Sequence, residues 1–143
     1  MVNRNLLAAK LTELAERLAR ARKHCPATPD ALRADRDALD LVSFNLMLAV
    51  QACADIASHL IADEGWPAAS TLGDSFERLH ERGVIVAGTA VALGRAAGLR
   101  NIVAHGYGGV DAAIVHAAAT TGVAQLEAFA HEVAAWATSQ PGE

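Results

Sequence analysis

Three clusters of proline and glycine cut this chain into segments of helical length, and that punctuation constrains its fold more than any other feature. Cys25-Pro26-Ala27-Thr28-Pro29-Asp30, Gly65-Trp66-Pro67 and Gly106-Tyr107-Gly108-Gly109 separate stretches whose apolar residues recur at spacings of three and four. Two prolines so close together cannot continue a helix interior, and glycine is favoured just past a helix end. The first stretch shows the pattern plainly, with Leu7, Leu11, Leu14 and Leu18 on one face. The spacing predicts helices over residues 4–23, 31–64, 71–82, 87–105 and 112–138, with Asp30 or Asp35 capping the second and Asp111 the last. The last would bury Ile114, Val115, Val123, Leu126, Phe129, Val133 and Trp136. The fold class is all-α, an up-and-down bundle of about five helices.

At 143 residues the chain reads as one domain. Hydrophobic residues make up 52% and aromatics only 4%, much of the apolar content being alanine, which suits closely packed helices better than a sheet sandwich. Gly94 and Gly98 lie four apart in the predicted fourth helix, where each costs about 1 kcal/mol against alanine, so a close helix contact within or between subunits is the expected compensation. No apolar run reaches the roughly eighteen uncharged residues of a membrane span, and the N-terminus lacks a signal-peptide core. A cytoplasmic protein without a membrane partner is expected, with Cys25 and Cys53 as free thiols.

The net charge of −4 offers no overall attraction to a polyanion. Its distribution is uneven, because all twelve Lys and Arg lie in residues 1–100, balanced there by twelve acids. Arg17, Arg20, Arg22 and Lys23 crowd the end of the first helix, as cations do at a negative dipole terminus; an RNA-contact patch is the less favoured reading.

Two constellations bear chemistry. Arg100, His105 and Tyr107, the only tyrosine, fall within eight residues. A guanidinium can hold a phosphodiester, and an imidazole titrating near neutrality can move the proton of a ribose hydroxyl. Five helical residues advance about 7.5 Å and turn about 140°, so Arg100 and His105 meet only if the helix ends or bends near Gly106, or if two copies complete one site across a dimer. The second constellation is Gln51, Asp55 and His59, a polar stripe at i, i+4 and i+8 in a mostly apolar helix, which needs partners. It reads either as a buried network fixing helix register or as support for Arg100 or His105 through Asp55, with Gln51 or His59 contacting RNA. Glu77 and His80 form a single Glu-x-x-His, and Asp55–His59 and Glu127–His131 are i, i+4 pairs. A di-iron bundle needs two such units and further glutamates, so neither a metal nor a cofactor is expected.

The Arg100, His105, Tyr107 spacing, with Asn101 after the arginine, resembles the signature of HepT-like ribonuclease toxins of the HEPN superfamily. Asp35-Arg36-Asp37-Ala38-Leu39, Gln51 to Ile61, Phe76-Glu77-Arg78-Leu79 and Gly83-Val84-Ile85 follow in the same order, so the resemblance covers about residues 30–135 of the single domain. It implies a HEPN-type bundle, dimeric, acting as a metal-independent endoribonuclease on tRNA or mRNA. His105 would be general acid or base and Arg100 would stabilise phosphate charge, with Asn101, Asp55, Gln51 and His59 in support. It implies an MntA-like nucleotidyltransferase antitoxin that transfers AMP to Tyr107. Other readings are a noncatalytic HEPN module and an accessory substrate-binding subunit of a nucleotidyltransferase. The loop after His105 departs from the family in its glycine content and in lacking an acid between histidine and tyrosine.

Overall fold

A computed structural model describes residues 2–105 and 111–141, with the backbone alone described over 101–105. The helices are α1 Arg4–His24, α2 Pro29–Ala34, α3 Arg36–Asp63, α4 Leu72–Glu81, α5 Ala87–His105, α6 Ala112–Ala117 and α7 Val123–Ser139, and a π-helical turn, Ala118–Gly122, joins the last two. No strand occurs among the described residues.

Four long helical arms alternate in direction. Lys10 meets Asp55 and Arg17 meets Asn45, so α1 and α3 run antiparallel. Arg4 donates to the carbonyls of Ala137 and Gln140 while Arg22 pairs with Glu127, which sets α7 antiparallel to α1. Glu132 accepts from the Val86 N–H and the Thr89 hydroxyl, both at 2.7 Å, and anchors the start of α5 to α7. The bundle is therefore up-and-down in α1, α3, α5 and α7. The short α4 packs on α5 and α3.

The core forms where these arms converge. Leu14, Leu46, Ile56, Leu60, Leu79 and Leu93 are fully buried. Phe76 of α4 and Phe129 of α7 meet edge to face, ring centroids 5.8 Å apart, and Trp66 meets Trp136 at the same separation. Such pairs contribute about 0.5–1.5 kcal/mol beyond their burial. By length and composition α3 could cross a membrane, yet 61% of its most apolar window is buried inside the bundle, as in a core helix. Asp55 interrupts its uncharged run.

Two predicted helices differ from those observed. The stretch 31–64 is not one helix, because Asp35 sits at extended angles, φ −111° and ψ 94°, between α2 and α3. Its carboxylate accepts from the Ala38 N–H at 3.0 Å, and its own N–H donates to the Leu32 carbonyl. A short acidic side chain that satisfies a free helix-start donor competes with continuation of the preceding helix. Thr28 caps α2 in turn, with Pro29 at its first position. Asp35→Ala should cost about 0.5–2 kcal/mol, read as a lowered urea midpoint with an unchanged slope.

The segment 112–138 is helical throughout but widens over Ala118–Gly122. The Thr120 hydroxyl donates to the His116 carbonyl at 2.8 Å, drawing an acceptor out of the regular ladder, a local cause of such a bulge. Asp111 caps α6 by accepting from Ala113 N–H. Helices α1, α4 and α5 lie within a residue of their predicted bounds.

Candidate functional site

The polar stripe of α3 faces the groove between α1 and α5. Gln51 and Asp55 lie one turn apart, so their side chains meet as helical neighbours do, Gln51 Nε2 donating to Asp55 Oδ1 at 3.0 Å. Gln51 Oε1 accepts from Arg100 Nη1 at 2.9 Å. On the other flank the Lys10 ammonium donates to Asp55 Oδ2 at 3.1 Å and more weakly to Glu13 at 3.5 Å. A continuous polar chain thus crosses three helices, from Lys10 on α1 through Asp55 and Gln51 to Arg100 on α5. The Asp55 carboxylate beside it holds the Lys10 ammonium above its ordinary range, so the cation persists through neutral pH.

Asp55 does not touch Arg100. The hydrogen-bond path between them passes through Gln51, because α3 approaches α5 one turn nearer its N-terminal end. Gln51, offered as an RNA contact, is engaged with Arg100. His59, the third member of the stripe, is half-buried one turn beyond Asp55, and its imidazole joins no hydrogen bond among the described residues. Helix α5 extends through His105, so Arg100 and His105 stay about 140° apart around its axis. The side chains of Asn101 and His105, and Tyr107 altogether, lie outside the described residues.

Lys10 is the member that the sequence reading missed. It stands three residues after Leu7 and four before Leu14, at the edge of the apolar stripe of α1, where a charge needs a partner across the helix interface. That position is a usable signal. The partner's identity follows only from the antiparallel register of α1 on α3.

The basic cluster at the end of α1 is divided in use. Arg17 donates to the buried Asn45 at 3.2 Å and lies over the exposed Phe44 ring, while Arg22 pairs with Glu127. His80 donates from Nδ1 to the Ile85 carbonyl and His116 from Nε2 to that of Pro26, which gives both imidazoles structural contacts. Among the described residues no three His, Cys, Asp or Glu side chains gather as a metal site would require. Cys25 and Cys53 are free, and burial pushes the Cys53 thiol far up.

On the other side of α5 an apolar groove of about 250 Å³ is lined by Leu46, Val50, Leu99, Ile114 and Leu126, with Arg95 at its rim. Beside it, Val91 and Ile114 are exposed. A Cβ built at Gly94 or Gly98 would meet nothing within 4 Å, so the close contact expected of these glycines is not made within the described chain.

The chain is an all-α bundle that carries a glutamine-held arginine on its third long arm, five residues before a histidine. The family model Ribonuclease HepT-like matches residues 14–133, and the chain belongs to that family. Similar solved structures include a toxin-antitoxin complex with AMP-PNP, at 23% identity and a TM-score of 0.84, covering 92% of this chain and 98% of that one. A tri-AMPylated HEPN toxin from Shewanella oneidensis, in complex with its MNT antitoxin, shares 24% identity and a TM-score of 0.84 over 94% of this chain and 99% of that one. YutE of Bacillus subtilis, a cytosolic protein of unknown function, is 14% identical with a TM-score of 0.81, covering 99% and 96%. These likenesses establish the HEPN-toxin fold. Comparison with curated proteins gives no match.

Proposed function

We propose that this chain is an endoribonuclease toxin of a HEPN/MNT toxin-antitoxin pair. The observation that carries the reading is the Arg100 guanidinium, held by Gln51 at the end of α5, five residues before His105, in a chain of the HepT-like family. In the proposed reaction the ribose 2′-hydroxyl attacks the adjacent phosphorus and the bond to the 5′-oxygen breaks. A 2′,3′-cyclic phosphate and a free 5′-hydroxyl result. His105 takes the 2′ proton or returns one to the leaving oxygen, and Arg100 stabilises the charge gathering on the phosphate oxygens. Asn101 supports at the start of the motif, Gln51 holds the arginine, Asp55 orients Gln51, and His59 contacts the RNA strand. The substrate class is cellular tRNA or mRNA.

A second copy completes the site, in this reading. The uncovered glycines of α5, with Val91 and Ile114 exposed nearby, leave an apolar face for a homodimer, and pairing answers the 140° separation of Arg100 and His105 on one helix. The partner in regulation is an MntA-like nucleotidyltransferase antitoxin that transfers AMP to Tyr107. Phosphate placed beside Arg100 and His105 brings to the site the charge that substrate brings, and so blocks it. The AMPylated relative supports this reading.

Induced expression of wild type and of His105→Ala tests it, with growth and RNA 3′-end chemistry followed together. Growth arrest with new cyclic-phosphate ends in wild type, and about 10²–10⁴-fold fewer such ends in a folded His105→Ala, is the expected result. An unmodified, folded wild type that cleaves nothing overturns it in favour of a binding module or accessory subunit. On co-expression with the nucleotidyltransferase, mass spectrometry should find AMP on Tyr107 and none on Tyr107→Phe.

A further inference from the structure

The support for Arg100 begins ninety residues earlier in the chain, on a different helix. We propose that Lys10 is a positioning residue, which sets the place of the Arg100 guanidinium by occupying Asp55 and thereby fixing the Gln51 amide. Its effect on cleavage rests on the ribonuclease reading above. Its effect on the position of Arg100 does not.

The polarity of the groups dictates the arrangement. An ionised carboxylate only accepts hydrogen bonds, whereas a carboxamide donates at one end and accepts at the other. Asp55 therefore draws the NH2 end of Gln51 to its Oδ1, and the carbonyl end is left facing α5, where it accepts from Arg100. Lys10 takes the other oxygen, Oδ2, at 3.1 Å. Each link determines the orientation of the next.

Charge explains why a lysine is needed there. Asp55 lies one helical turn, about 6 Å along α3, from the residue that holds Arg100. A carboxylate with one oxygen unengaged competes for a guanidinium better than a neutral carboxamide does, because the hydrogen bond is charge-assisted. Without Lys10, Asp55 would draw Arg100 along α3 by up to that distance and neutralise the charge meant for a phosphate. The other acid beside Lys10, Glu13, is on α1 and holds the ammonium only at 3.5 Å, so it does not replace the pairing with Asp55.

The test compares Lys10→Met, Lys10→Arg, Asp55→Asn and the Lys10→Met/Asp55→Asn double variant, with thermal unfolding followed to establish that each is folded. Two readouts are taken: steady-state cleavage of a single-stranded RNA, and the guanidinium Nε–H resonance of Arg100, assigned by its loss in Arg100→Lys. Lys10→Met should shift that resonance and lower kcat by about ten- to a hundredfold with KM little changed, as expected of a displaced catalytic group. Lys10→Arg should restore both. In the Asp55→Asn background Lys10→Met should add nothing, because no carboxylate remains to capture the arginine. An unmoved resonance in Lys10→Met, or an equal displacement with and without Asp55, overturns the proposal and leaves the ribonuclease reading intact. A moved resonance in a protein that cleaves no RNA upholds the positioning and removes the ribonuclease reading.

Discussion

Arg100→Ala should lower the cleavage rate about 10²–10³-fold, the usual consequence of removing one fixed donor from developing transition-state charge. The loss should fall mainly on kcat, since a phosphodiester already carries one negative charge in the ground state and gathers more as the 2′-oxygen bonds to phosphorus. The fold should survive, because the only side-chain hydrogen bond of Arg100 among the described residues goes to an exposed glutamine, whose carbonyl water can satisfy. A stability change within about 0.5 kcal/mol is expected, so lost cleavage cannot be ascribed to unfolding. Arg100→Lys separates charge from shape. Lysine keeps the charge but not the planar fork that contacts Gln51 and, in the proposed reaction, a phosphate as well, so it should restore only part of the rate. Quench-flow or gel-based cleavage with purified variants reads both effects, and wild-type rates in Arg100→Ala would sink the assignment.

The same arginine shows how far the site could be read before any coordinates. Its place in a motif with His105 was legible, as was the need of Gln51 and Asp55 for partners, since both follow from helical spacing alone. Which of the two would reach Arg100 was not legible. That depends on the level at which α3 crosses α5, a difference of one turn that the packing of the two helices decides. Lys10 required two steps of the same kind, because its partner is set by the register of α1 on α3. The helix bounds were legible where proline or glycine marks them, at residues 25–30 and 65–67. At Asp35 they were legible in part: Asp35 was one of the two candidate caps and does cap α3, but the short α2 before it reads as part of one helix, since an acid inside an apolar rhythm also looks like an exposed helical position. The π turn left no trace in the apolar spacing either, its cause being a threonine hydroxyl rather than a breaker.

Phe129→Ala should destabilise the protein by about 3–5 kcal/mol, the largest stability effect expected of one substitution here. Phe129 is fully buried on α7 and meets Phe76 of α4 at 84° between ring planes, so truncation removes the buried area of one ring and the edge-to-face partner of the other. Relaxation into the space is poor. Leu79 of α4, Leu93 of α5 and Val133 of α7 itself are fully buried, and a bundle anchored at Glu132 to the start of α5 cannot close one interhelical gap without opening another. Against a typical total of about 5–15 kcal/mol the loss is a large share, and the midpoint of thermal unfolding should drop by roughly 10 °C or more. Phe129→Leu, which keeps most of the volume, should cost less than half as much. The consequence reaches the site, because α4 and α7 both pack on α5, the helix that carries Arg100. Phe129→Ala should therefore lose cleavage on heating well before wild type does, while at low temperature, still folded, it should cleave at the wild-type rate. A folded Phe129→Ala with impaired cleavage in the cold would mean that the core tunes the geometry of the site and does not merely hold it up.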